Sequence, residues 1–144
     1  MSTLDKHKST SYTKMILLGD PGSGKTGALA SLVKAGYKLR ILDFDANLDP
    51  LAQFVKREAP DKLHNIEYRT LTDKLKAGAQ GMVPDGIPTA YMEGVKMLDR
   101  WKYKSDEGEE IDLGRPADFG PDCIVVLDSL TTFSQATTSF IALS

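Results

Sequence analysis

The run Gly19-Asp20-Pro21-Gly22-Ser23-Gly24-Lys25-Thr26 fits G-x-x-x-x-G-K-[ST], a spacing suited to holding a polyphosphate. Glycines remove the Cβ that would keep the backbone away from phosphate oxygens, so successive N–H groups can turn inward around the anion. A helix that follows such a loop presents the positive end of its dipole to the same place. Lys25 has the charge and length to reach the β- and γ-phosphates, and the Thr26 hydroxyl is a ligand for Mg²⁺.

A second pattern, Ile124-Val125-Val126-Leu127-Asp128, describes a buried strand that delivers a carboxylate at its C-terminal end, where a hydrated Mg²⁺ would be held. Hydrolysis also needs a group that orients or deprotonates water. Many P-loop ATPases place a glutamate directly after the strand-end aspartate, whereas Ser129 stands here, so that carboxylate must come from elsewhere. Asp43 and Asp45 are the candidates, because the C-terminal ends of neighbouring parallel strands converge on the phosphate site. Two residues apart in an extended chain, they are expected on the same side.

The elements that must position these groups follow from apolar periodicity. Residues 14–18 read as a short buried strand running into the glycine loop, and Leu29, Leu32 and Val33 form one stripe of a helix ending at Gly36. Residues 38–45 read as a second strand. Asp49 then caps a helix with Pro50 at its first position and Leu51, Phe54 and Val55 on its apolar face, and Pro60 stops it. Ile66, Tyr68 and Thr70 alternate as a third strand, after which Gly78, Gly81, Pro84, Gly86 and Pro88 mark a long irregular segment. Tyr91, Val95, Leu98 and Trp101 predict a helix over 89–103; residues 105–122 read as a surface excursion or small hairpin before the apolar run from Cys123. Strands alternating with helices indicate an α/β domain with a largely parallel sheet.

With 144 residues, 41% hydrophobic and 26% charged, the chain can bury one core. A net charge of −2 gives no global basic field, which leaves nucleic acid only a local patch. Trp101 and Tyr103 beside Lys102 and Lys104 could stack on single-stranded bases, although the plainer reading puts Trp101 in the buried stripe of its helix. Cys123 is the only cysteine and lies in an apolar run, which reads as a buried structural thiol. His7 and His64 have no Cys or His partner at metal-ligand spacing and read as solvated. No run approaches the roughly 20 apolar residues of a membrane span, residues 1–13 read as a flexible polar leader, and a cytoplasmic location is expected.

Leu42-Asp43-Phe44-Asp45-Ala46-Asn47-Leu48-Asp49-Pro50 resembles the I-D-x-E-x-x-L-D-P stretch of RecA-type recombinases, and Ile124 to Ser129 resembles their Walker-B strand with its Asp-Ser ending. Together with the glycine loop, three motifs occur in the family's order, and the match is closest to compact RecA-like ATPases of bacteriophages that assist single-strand annealing and recombination. The resemblance implies a P-loop NTPase domain over 14–144, with an irregular insertion at about 72–121 and the cofactors ATP and Mg²⁺. It also implies self-association and action on single-stranded DNA or on a DNA-bound partner protein. Asp45 falls where the family has its catalytic glutamate and is one methylene shorter; Lys25, Thr26 and Asp128 take the phosphate and magnesium roles. Only sixteen residues follow Asp128, so the resemblance implies an incomplete core, a truncated or split RecA-like unit, and weak hydrolysis by the chain alone. Two other functions are weighed against an ATPase. One is a nucleotide-binding subunit or regulator that does not hydrolyse; the other is a small-molecule or nucleotide kinase, for which Arg100 and its neighbouring lysines form no clear lid. A GTPase is disfavoured because no N-K-x-D motif occurs.

Overall fold

The computed structural model describes residues 15–19 and 24–143. The expected leader, Lys14, and loop residues Asp20, Pro21, Gly22 and Ser23 lie outside the described residues. In chain order come α1 (Lys25–Lys34), β1 (Lys38–Asp43), α2 (Asp49–Glu58), a 3-10 turn (Pro60–Asn65), β2 (Ile66–Thr70), β3 (Leu75–Gly78) and β4 (Gly81–Pro84). They are followed by α3 (Ala90–Asp99), β5 (Lys102–Lys104), β6 (Glu110–Asp112), a 3-10 turn (Pro116–Asp118), β7 (Cys123–Asp128) and α4 (Leu130–Leu143).

β2, β1 and β7 form a three-stranded sheet in that order, parallel throughout, with β1 in the middle. Side-chain alternation along β1 divides the core in two. Leu39 and Ile41 pack with Ala30 and Val33 of α1 and Leu51 and Val55 of α2. Leu42 and Phe44 point the other way, into a cluster with Leu71, Ala90, Met97, Trp101 and Ala136. The chain is therefore a mixed α/β structure with a small parallel sheet covered by helices on both faces. The register sets Asp43 opposite both Thr70 and Asp128, so three strands end at one level.

Several expectations need correction. Residues 15–18 form no strand; Met15 is 67% and Leu18 88% exposed, and no described residue pairs with them. Apolarity marks a segment as able to form a strand, but a strand exists only where a partner accepts its backbone hydrogen bonds. The strand expected over 38–45 stops at Asp43, and this separates two aspartates expected on one side: Asp43 is buried and Asp45 exposed. The segment after β2 is less irregular than its glycines imply, since β3 and β4 form an antiparallel hairpin around residues 79–80. Gly78 is needed there, because a Cβ would meet the Gly81 carbonyl and the Val83 side chain at 3.0 Å.

The helix expected to reach 103 ends at Asp99, because Arg100 turns extended and its guanidinium grips Asp112 of β6 through both carboxylate oxygens. Trp101 thus leaves the helix, exchanging backbone hydrogen bonds with Gly114 and Leu113, yet it is fully buried. Residues 102–112 form the small hairpin that was one of the two readings for this region. Where Asp49 was expected to cap α2, Leu48 holds the cap position and Asp49 is the first helical residue; Phe54, expected on the apolar face, is 39% exposed under the Arg57 guanidinium. Among the described residues no helix is long and apolar enough to cross a membrane.

Gly94 sits in α3 where a Cβ would lie 2.9 Å from the Phe44 ring, which Phe133 holds from another side at 5.0 Å between ring centroids. An unhindered Gly→Ala change inside a helix stabilises by about 1 kcal/mol. Overpacking costs about 1–3 kcal/mol, so Gly94→Ala is expected to lower stability by about 1 kcal/mol in urea unfolding. A gain in stability would show that the Phe44 ring yields freely.

Candidate functional site

The site is built at the C-terminal ends of β1 and β7, beside the start of α1. Gly24 precedes the helix with φ of 93°, a left-handed conformation that glycine adopts without strain. Among the described residues no side chain caps this end of α1 and no acidic residue lies in its first turn, so no described negative charge opposes an anion at the helix start. The Lys25 ammonium donates to the Gly19 carbonyl, tying the two described ends of the glycine loop together. Thr26 is half-buried in the first turn.

Asp43 is 2% exposed and holds the β1–α2 turn. Its Oδ1 accepts from the backbone N–H groups of Asp45 at 3.2 Å and Asn47 at 3.4 Å, and its Oδ2 accepts from the Thr70 hydroxyl at 3.0 Å. Between those two N–H groups lies Ala46, at φ of 52°. A left-handed alanine costs roughly 1–2 kcal/mol, and the two flanking hydrogen bonds to one carboxylate oppose its relaxation. The backbone is further fixed by Phe44 N–H donating to the Asp128 carbonyl and Leu71 N–H to the Asp43 carbonyl.

Asp45 is exposed beyond the strand, and its Oδ1 accepts from the Thr132 hydroxyl and, at 3.3 Å, from the Ser129 hydroxyl. Asp128 is half-buried at the end of β7, and its peptide bond to Ser129 is cis. Burial pushes the Asp128 carboxyl above its usual range; the negative charges of Asp45 and Asp43 add to this, and Lys25 opposes it. Asp45, Asp43 and Lys25 are thus each within electrostatic reach of Asp128. Asp43, Asp45, Asp128 and Lys25, predicted from separate motifs, are brought together; Asp20–Ser23 lie outside the described residues.

The sequence reasoning missed Thr70 and Thr132 as contributors. Thr70 was visible only as the last alternating residue of a strand, and Thr132 carried no signal, since its role depends on the junction of β7 and α4. The alternative surface around Trp101 and Tyr103 is less open than its composition implies. Trp101 is enclosed and cannot stack on a base, the Tyr103 hydroxyl donates to Glu67, and Arg100 and Lys102 are paired with Asp112 and Glu110. An open cavity of about 630 Å³ lies beside these residues and is lined by none of the predicted phosphate, magnesium or catalytic groups. Among the described residues, no group of three or more His, Cys, Asp or Glu is arranged to hold a metal ion. Cys123 is half-buried, and burial raises its thiol pKa, as suits a structural thiol.

Searches against protein-family models, curated proteins and solved structures yield no match to this chain.

Because the Asp128 carboxyl is raised above the ordinary aspartate value of 3.8, the folded state holds that proton more tightly than the unfolded state does. Stability contributed by this group is therefore full below that value and falls as pH rises through the raised one. Asp128→Asn, which mimics the protonated form, is expected to unfold at higher urea than the parent at about pH 7 and to lose this advantage near pH 3. Parallel pH profiles for the two proteins would contradict the assignment.

Proposed function

We propose that the chain is a RecA-like P-loop NTPase that binds ATP·Mg²⁺ and hydrolyses it, working in phage DNA recombination or replication. The observation that supports nucleotide chemistry is the grouping of Lys25, Asp43 and Asp45 around Asp128, beside the start of a helix that follows a glycine loop. The DNA context rests on the resemblance to RecA-type recombinases. In this reading the loop N–H groups and Lys25 bind the β- and γ-phosphates through charge-assisted hydrogen bonds. Asp45 orients the attacking water and takes its proton as the water oxygen bonds the γ-phosphorus; the bond from that phosphorus to the bridging oxygen breaks, and ADP and inorganic phosphate leave.

Thr26 and Asp128 would hold Mg²⁺, which when bound neutralises charge on the phosphate oxygens. Mg²⁺ in nucleotide sites takes one or two carboxylates together with phosphates and waters, so a hydroxyl and one strand-end carboxylate suit it without a protein cage. Burial is the main reason the Asp128 carboxyl is raised, and the neighbouring negative charge that adds to it is what a cation would relieve.

A second reading, a nucleotide-binding subunit or regulator without hydrolysis, is favoured by one feature: Asp45 is one methylene shorter than the family's glutamate. The RecA comparison further implies that a cation from a neighbouring copy completes the site. Such arginine fingers contribute about 10³ to 10⁵ in rate, so turnover by the isolated chain is expected to be slow.

Lys25→Ala is expected to abolish binding of a fluorescent ATP analogue in the presence of Mg²⁺, because no equivalent charge replaces the ammonium. Asp45→Asn is expected to keep binding within about threefold while lowering phosphate release by about 10²-fold or more. Unchanged affinity in Lys25→Ala would overturn the phosphate-loop reading. Tight binding with no phosphate release by the parent would select the non-hydrolysing subunit.

A further inference from the structure

We infer that Thr132, together with Ser129, is a positioning residue that fixes the Asp45 carboxylate for its work on water; the inference rests on the hydrolysis reading above. Asp45 lies on a turn outside the sheet, so its own strand does not orient its side chain. What orients it comes from the junction between β7 and α4. The Ser129 hydroxyl reaches Asp45 Oδ1 at 3.3 Å, Thr132 Oγ1 donates to the same oxygen, and the two hydroxyls are 3.2 Å apart. Among the described residues, these side-chain donors both meet Oδ1 and leave Oδ2 as the oxygen open to water.

That asymmetry has a chemical consequence. An exposed aspartate otherwise turns about its terminal torsion, presenting either oxygen in many directions. Two hydroxyls on one oxygen remove that freedom, and Asp43 removes the backbone's share by holding the Asp45 N–H. The carboxylate is thereby fixed from both ends, by the residue that terminates β1 and by the first turn of α4. Pre-positioning of this kind matters more for a short aspartate than for a glutamate, since a displacement of about 1 Å can cost about 10²-fold in rate.

A purely structural role is the rival explanation, because Ser129 also caps α4: its hydroxyl accepts the Thr132 N–H at 3.4 Å. The Thr132 hydroxyl is not that cap, so the two roles separate at residue 132. Thr132→Val keeps shape and the backbone N–H but removes the donor, while Thr132→Ser keeps the donor.

The test compares nucleotide affinity, KM and kcat for ATP·Mg²⁺ across the full chain and its Thr132→Val, Thr132→Ser, Asp45→Asn and Thr132→Val/Asp45→Asn variants. The expected result is a kcat about 10-fold lower in Thr132→Val, with affinity and KM within about twofold, and rescue to within about threefold in Thr132→Ser. In the Asp45→Asn background, Thr132→Val is expected to change the residual rate by less than about twofold, since the group it positions is gone. An undiminished kcat in Thr132→Val, or an equal loss with and without Asp45, overturns the positioning role while leaving the hydrolysis reading intact. A parent that binds ATP·Mg²⁺ without turning it over overturns both, and is recognised by the silence of the parent itself.

Discussion

A buried carboxylate at the end of the central strand organises the site. Asp43 is 2% exposed, and removing it from water is tolerable only because two backbone N–H groups and the Thr70 hydroxyl replace the lost hydration. Those donors come from two pieces of the site. Two fix the turn that carries Asp45 and holds Ala46 left-handed, and the third ties β2 to β1 at the level where β7 also ends. Removing the carboxylate would take away the acceptor shared by all three donors at once.

Around this anchor the fold places unlike chemistry at one end of the sheet. The parallel register carries Asp128 level with Asp43, and the crossover connections leave helices on both faces. The result is an acidic cluster that the protein itself does not neutralise fully: Lys25 offsets part of the charge felt at Asp128, while burial and two neighbouring aspartates add to it. Such an arrangement lowers the stability of the fold as pH rises.

Much of this was legible in the sequence where local chemistry and periodicity agree. The apolar run ending in Asp128 and the alternating Ile66, Tyr68 and Thr70 form strands as read, and the helix stripes of Val33, Leu51 and Val55 reach the core. But β7, read as buried, is half-buried beside β1 alone among the described strands, and Tyr68 faces outward. Illegible features depended on partners distant in sequence. Residues 15–18 have strand composition but no paired neighbour among the described residues, and Trp101 keeps helical spacing although the Arg100–Asp112 pair diverts the chain. The β3–β4 hairpin was hidden because Gly78, Gly81 and Pro84 read as breakers, whereas here the glycines permit the turn and Pro84 sits at its end. Asp43 and Asp45 looked equivalent in sequence. Termination of β1 between them makes one an anchor and leaves the other facing water.

In the proposed function the glycine loop, the β1–α2 turn and the β7–α4 junction act as one nucleotide site. Hydrogen–deuterium exchange of the full chain with and without ATP·Mg²⁺ tests it most directly, because it reads all three segments in one experiment. The account predicts slowed exchange at residues 19–26, 44–48 and 128–133, with the β3–β4 hairpin unchanged. Unaltered exchange at all three segments, or protection confined to the surface around Tyr103, would contradict it.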